Sequence, residues 1–226
     1  MEAQAILFDL DGVLTDTAHY HYLAWKKLAD SLGFHFNEKD NERLKGVDRM
    51  RSFEIVLEIN DALDQFDQEA RIRYADEKNE WYKKLIEQIT PADILPGISR
   101  FLDQAKQKGM KLAVASSSKN AKRVLELLGI TDCFDYVANA AHIAKSKPAP
   151  DIFLDCARGL GVLPEQCIGV EDAQAGVEAI HSAGMFSVGI HVDVTSLAPD
   201  VVLNSTTELD LNTILEAYEK KVDFSL

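Results

Sequence analysis

From Pro96 onward, short apolar runs alternate with amphipathic stretches, and four of those stretches end at a glycine. The spacing predicts helices over 98–108, 119–128, 151–160 and 173–183, closed by Gly109, Gly129, Gly161 and Gly184. Strands are expected at 111–115, near 136–138, at 167–170 and at 185–190, with a weak strand near 201–203 and a last helix from about Leu209. Such alternation builds a parallel sheet with helices on both faces. One further strand, Ala5-Ile6-Leu7-Phe8, stands apart at the start of the chain. Between it and the rest, no stretch reads as a strand. Apolar residues at Tyr22, Leu23, Trp25, Leu28, Ala29 and Leu32 give 19–32 a period near 3.6, and helices are also expected over 39–44, 49–59 and 68–89. Lys45-Gly46-Val47 and Asn60-Asp61 interrupt them. The expected fold class is therefore α/β: a doubly wound parallel sheet of Rossmann type with an all-helical domain inserted after the first strand. Residues 1–16 and 93–226 would form the core, and 17–92 the helical cap.

The first strand runs into Asp9-Leu10-Asp11-Gly12. Side chains two apart along a strand lean to one side, so both carboxylates would face the crevice at the carboxyl ends of the strands. Acids this close raise one another's pKa unless a cation lies between them. The layout suggests a hard metal, a carboxylate able to attack and a second able to move a proton. Three other expected strands also end in chemistry-bearing residues: Ser116, the Lys147 loop, and Glu171-Asp172. A doubly wound sheet gathers such ends at its switch point. Together they make a phosphoryl-transfer set. Asp9 would attack phosphorus and form an acyl phosphate. Mg2+ takes carboxylate, phosphate and water oxygens, with Asp9 and Asp172 as the obvious carboxylates. Ser116 and Lys147 would hold the phosphoryl oxygens and offset their charge.

Composition narrows the partners. The chain has 226 residues, 46% of them hydrophobic, and a net charge of −13. That balance argues against unspecific nucleic-acid or anionic-membrane binding and leaves a small phosphorylated ligand open. Cys133, Cys156 and Cys167 are scattered, odd in number and without CxxC spacing, as expected of buried thiols in a reducing cytoplasm. Neither a basic leader nor an apolar run of ~18 residues is present. A soluble cytoplasmic monomer is the expectation.

These motifs, Asp9-x-Asp11-Gly12, Ser116 after a strand, Lys147-Pro148 and Glu171-Asp172, resemble the four motifs of the haloacid dehalogenase superfamily over nearly the whole chain. The longer stretches DLDGVLTDTAHYHYLAW, NERLKGVDR, SSSKN, SKPAPDIF and GVEDAQAG are closer to that superfamily's sugar-phosphate mutases. The resemblance implies interconversion of β-D-glucose 1-phosphate and 6-phosphate through an aspartyl phosphate and β-glucose 1,6-bisphosphate, with Mg2+ as cofactor. It makes Asp9 the nucleophile and Asp11 the general acid and base. Asp9, Asp11, Glu171 and Asp172 become the metal-site acids. Lys45, Gly46, Arg49 and Ser52 match the family's cap loop, where Arg49 suits a bidentate grip on the phosphate that is not reacting. Thr17, His21, Trp25 and Lys78 fall at further matching positions. Ser117, Ser118, Lys119 and Asn120 match the core loop that meets the sugar phosphate. Two departures stand out: Asp48 replaces a usual serine, and Met50-Arg51 replaces a usually acidic pair.

Each residue alone also has a plain structural reading. Ser116 would serve as the N-cap of helix 119–128, and Glu171-Asp172 would favour the positive end of helix 173–183. Arg49 and Lys78 would be surface charges, and Trp25 a core aromatic. The joint arrangement favours the enzyme. A sugar-phosphate phosphatase, with water discharging Asp9, is the nearer rival. A non-catalytic binding protein on the same fold is the more distant one.

Overall fold

A computed structural model describes residues 2–44, 46–192 and 197–224. The chain forms two compact units: residues 1–16 with 90–226, and residues 17–89.

The first unit is built on β1 (Ala5–Phe8). The second unit holds α1 (Ala18–Ser31), α2 (Glu38–Asn41), α3 (Arg49–Ile59) and α4 (Gln68–Ile86). The chain then continues the first unit with α5 (Ile98–Gln107), β2 (Lys111–Val114), α6 (Ala121–Leu128), β3 (Tyr136–Val137) and α7 (Asp151–Leu160). It ends with β4 (Cys167–Glu171), α8 (Gln174–Ser182), β5 (Phe186–Ile190), β6 (Val201–Leu203) and α9 (Leu211–Phe224). Among the described residues the strands make one six-stranded sheet in the order β3-β2-β1-β4-β5-β6, with every pairing parallel.

This order explains the composition of β1. It lies between β2 and β4 with both faces covered, so all four of its residues are buried and none can be polar. Beneath the sheet, Leu7, Ala113, Phe153, Cys156 and Ile180 share one apolar cluster. The second unit has its own core, in which Trp25 stacks on Phe53 (centroids 6.0 Å apart, planes 9° apart) among Leu28, Phe36 and Val56. The three cysteines are free thiols. Among the described residues no helix is long and apolar enough to cross a membrane.

Three elements differ from expectation for identifiable reasons. The helix expected over 119–128 begins at Ala121. Ser116 Oγ accepts the Ser118 N–H (3.1 Å) and Ser118 Oγ accepts the Asn120 N–H (3.2 Å). These side chains divert the backbone into turns before the helix starts. Ser116 is accordingly not the N-cap of α6; Asn120 occupies that place. The helix expected over 39–44 is split, because α2 gives way to a short 3-10 turn at Glu42–Leu44. The long helix stops at Ile86 rather than 89, and Thr90 and Asp93 form a capping box around Pro91.

Phe53 is fully buried and meets Trp25, Phe66 and Tyr74. Removing its ring leaves a cavity in a unit with a single small core. Phe53→Ala is expected to cost about 3–5 kcal/mol, measured as a lower urea midpoint.

Candidate active site

The sheet order turns back between β1 and β4. Chain following β1 builds β2 and β3 on one side, and chain following β4 builds β5 and β6 on the other. Ligands bind at the strand ends beside such a reversal. Phe8 is in register with Val170, so Asp9 and Glu171 emerge side by side from the two central strands. Both are buried.

Lys147 joins them. Its side chain is 0% exposed, and Nζ donates to Asp9 Oδ1 and Glu171 Oε1, each at 2.6 Å. Phe153 covers it, with Nζ 5.2 Å from the ring centroid. Burial disfavours the ammonium, but Asp9 and Glu171 outweigh that and hold Lys147 above the ordinary lysine range. Glu171 is anchored at its other oxygen too, since Oε2 accepts the N–H groups of Asp172 (2.7 Å) and Ala173 (3.0 Å). Both Glu171 oxygens therefore orient Lys147 and the chain leading into α8. Gly176 makes room for this: a Cβ there would lie 1.8 Å from Glu171 Oε1.

Asp172 completes the group. One oxygen from each of Asp9, Glu171 and Asp172 lies within 4.8 Å of the others. The Asp172 carboxylate lies against the turn after β1, where a Cβ on Gly12 would meet Oδ2 at 2.1 Å. Gly12 also has a φ of +74°, which glycine adopts without strain. Burial, then Glu171, Asp9 and Asp11, push Asp172 up to about 9. Asp9 rises to about 7, driven by burial and opposed by Lys147. When all three carboxylates are ionised, one ammonium leaves two negative charges unmatched in a buried space. The donor set is hard oxygen throughout. A divalent hard cation such as Mg2+ fits this site.

The remaining candidates divide between the units. Asp11 is half-buried and bridges to Thr15 in the turn closed by the Gly12 N–H to the Thr15 carbonyl (2.8 Å); its carboxylate is not among the three that converge. Ser116 is buried at the end of β2, and Ser117, Ser118 and Asn120 line the following turn, partly exposed. In the second unit, Lys78 is buried and donates to His21 Nδ1 at 2.8 Å. Burial, then Lys78 and Arg49, hold His21 well below the ordinary histidine range, so its ring is neutral and accepts at Nδ1. Lys78 Nζ also lies 4.7 Å from the Trp25 ring and 4.9 Å from that of Tyr82. Trp25 belongs to the apolar core and meets this polar group through its ring face. Thr17 Oγ1 accepts from the Tyr82 hydroxyl (3.1 Å). Arg49 pairs with Asp76 at 2.8 Å. Ser52 is buried, and its Oγ donates to the Asp48 carbonyl. Gly46 is half-buried with a φ of +73°. Lys45 lies outside the described residues, as does part of the uninterpreted stretch 191–199.

Sequence reasoning missed Tyr82, Asp76, Phe153 and Gly176. Tyr82 had a signal: it follows Lys78 by four, which places both on one face of α4. The other three act through tertiary contacts without a local pattern.

A buried carboxylate at the end of a central strand, an ammonium bridging it to a second acid, and three acids placed to hold a cation suit phosphoryl transfer of the haloacid dehalogenase type. The family model for haloacid dehalogenase-like hydrolases matches residues 3–184, and the chain belongs to that family. Among curated proteins, it is 43% identical to β-phosphoglucomutase of Bacillus subtilis over 96% of each chain. It is 32% identical to fructose-1-phosphate phosphatase YqaB of Escherichia coli, over 83% of this chain and 96% of that one. Among solved structures, β-phosphoglucomutase from Clostridium difficile is 46% identical and superposes with a TM-score of 0.94, covering 98% of this chain and 99% of that chain.

The raised acids fix a sign for stability against pH. A carboxyl such as Asp172, whose folded pKa lies above its unfolded value near 3.9, binds more protons when folded. Its stabilising contribution is full below pH ~4 and is lost as pH rises toward about 9. Thermal melts in chelator are expected to fall across that window. Added Mg2+, favouring the ionised form, is expected to reduce the fall.

Proposed function

We propose that this enzyme is a β-phosphoglucomutase, interconverting β-D-glucose 1-phosphate and β-D-glucose 6-phosphate through β-glucose 1,6-bisphosphate. The observation that carries the reading is Asp9 itself, a buried carboxylate at the sheet's reversal, bonded to Lys147 and beside Asp172. Likeness to named mutases at 43% and 46% identity over nearly the whole chain supports mutase over phosphatase, where the likeness is 32%.

In this reading an Asp9 oxygen attacks the phosphorus of the bisphosphate, the sugar oxygen leaves, and Asp11 supplies its proton. The sugar monophosphate is accepted again with its other hydroxyl toward phospho-Asp9. Asp11 now removes that hydroxyl's proton, and the phosphoryl returns to the sugar. Mg2+, held by Asp9 and Asp172 with Glu171 and Asp11 beside them, would offset the charge of the transferring phosphoryl. Lys147 holds the phosphoryl oxygens and keeps Asp9 aimed, while Ser116 through the 116–120 turn binds the same group. Residues 1–16 and 90–226 serve as the catalytic core. Residues 17–89 serve as the cap, with Lys45, Gly46, Arg49, Ser52, His21 and Lys78 binding the phosphate that is not reacting.

The test is incubation with β-glucose 1-phosphate and a catalytic amount of β-glucose 1,6-bisphosphate. Glucose 6-phosphate is expected to accumulate with little free phosphate; stoichiometric phosphate release would instead establish the phosphatase. Asp9→Asn is expected to abolish turnover with the circular dichroism spectrum unchanged. Asp11→Asn is expected to retain slow capture of a phosphoryl on Asp9, seen by mass, while losing mutase turnover by at least about 10²-fold.

A further inference from the structure

Within the proposed distal-phosphate set, Arg49 is ion-paired with an acid of the same unit. Its Nη1 donates to Asp76 Oδ1 at 2.8 Å. The partners differ in setting: the Arg49 side chain is 17% exposed, whereas that of Asp76 is 64% exposed. Asp76 stands on α4 two residues before Lys78, on the helix that also carries Tyr82. Nearby groups leave it the direct acidic partner. Glu80, one turn along α4, also acts on Arg49 through charge, but its carboxylate bonds to Lys83 at 2.7 Å. His21 is neutral and Lys78 is bonded to it, so the cationic side of this cluster is Arg49 and Lys78.

We propose that Asp76 is an affinity-tuning residue that competes with the substrate's non-reacting phosphate for the Arg49 guanidinium. This rests on the proposed function, in which Arg49 binds that phosphate. A phosphate dianion accepts two parallel N–H bonds from a guanidinium and is a stronger partner than one exposed carboxylate. Asp76 is exposed and can yield, since an ion pair open to solvent is worth only a small factor. While it is bound, it offsets the Arg49 charge, so that a ligand must bring a full phosphate to displace it. Once displaced, its negative charge remains close to the phosphate and weakens binding. Neutral sugars gain nothing from Arg49 in either state. Asp76 thus lowers affinity for every phosphorylated ligand of this position while keeping the arginine compensated between turnovers.

The experiment measures KM and kcat for β-glucose 1-phosphate in the full chain with Mg2+ and β-glucose 1,6-bisphosphate. Asp76→Asn keeps the size of the side chain and removes its charge. KM is expected to fall about two- to fivefold, the factor an exposed ion pair carries, with kcat changed less than KM. Asp76→Glu is expected to restore the wild-type KM. Arg49→Ala is expected to raise KM at least about tenfold, and Asp76→Asn is expected to have no effect on KM in the Arg49→Ala background. If Arg49→Ala raises KM but Asp76→Asn leaves it unchanged or raises it, competition is overturned and the mutase reading stands. An Arg49→Ala variant with unchanged KM would remove Arg49 from the phosphate site and overturn the competition with it.

Discussion

One buried ammonium holds the sheet-bearing unit of this protein in register. Lys147 reaches from the loop before α7 to two carboxylates on adjacent central strands, at 2.6 Å from each. Without it, Asp9 and Glu171 would face each other as like charges in a space closed to water, an arrangement that costs far more than the pair gains. With it, the strand ends of β1 and β4 are tied side by side, and Glu171 can spend its second oxygen on the backbone entering α8. The bridge is only partial compensation. Burial first, then the carboxylates of Glu171, Asp9 and Asp11, make the Asp172 proton hard to remove, and Lys147 offsets this only in part. The surplus negative charge is what makes the site receptive to a divalent cation, so structural and catalytic electrostatics are the same problem.

The second unit solves a different one. It keeps the Lys78 ammonium buried. The neutral His21 ring accepts one of its protons, and the faces of Trp25 and Tyr82 supply further stabilisation of the charge. None of these partners is anionic. Arg49 is paired with the carboxylate of Asp76.

The sequence is most legible where chemistry coincides with backbone pattern. Asp9, Ser116, Lys147 and Glu171-Asp172 each follow a strand or lie in the loop before a helix, and the alternation of apolar runs and helices is enough to bring strand ends together. The all-parallel sheet follows from the same alternation. Less legible are features that depend on side chains competing with the backbone. The Ser116 and Ser118 hydroxyls delay α6 by two residues relative to the helical pattern that begins at 119. Least legible are contacts across long stretches of chain, such as Asp76 on Arg49 or Phe153 over Lys147, which leave no trace in local spacing. Gly176 is intermediate: a glycine inside a helical pattern signals close approach, but only the fold identifies Glu171 as what approaches.

The backbone around the insertion has a consequence for how such a chain can vary. Thr15 bridges to Ile94 and its hydroxyl bonds to the Asp93 carbonyl, while the Leu95 N–H bonds to the Leu14 carbonyl. The exit from the sheet and the return to it are thus stitched together within the first unit. Closing a loop costs entropy that grows only slowly with its length, and here the closure is secured by the sheet-bearing unit's own hydrogen bonds. Residues 17–89 can therefore lengthen, shorten or be exchanged for another fold without unpairing β1. Selection can rework the inserted unit while the sheet and the carboxylates at its strand ends are inherited intact.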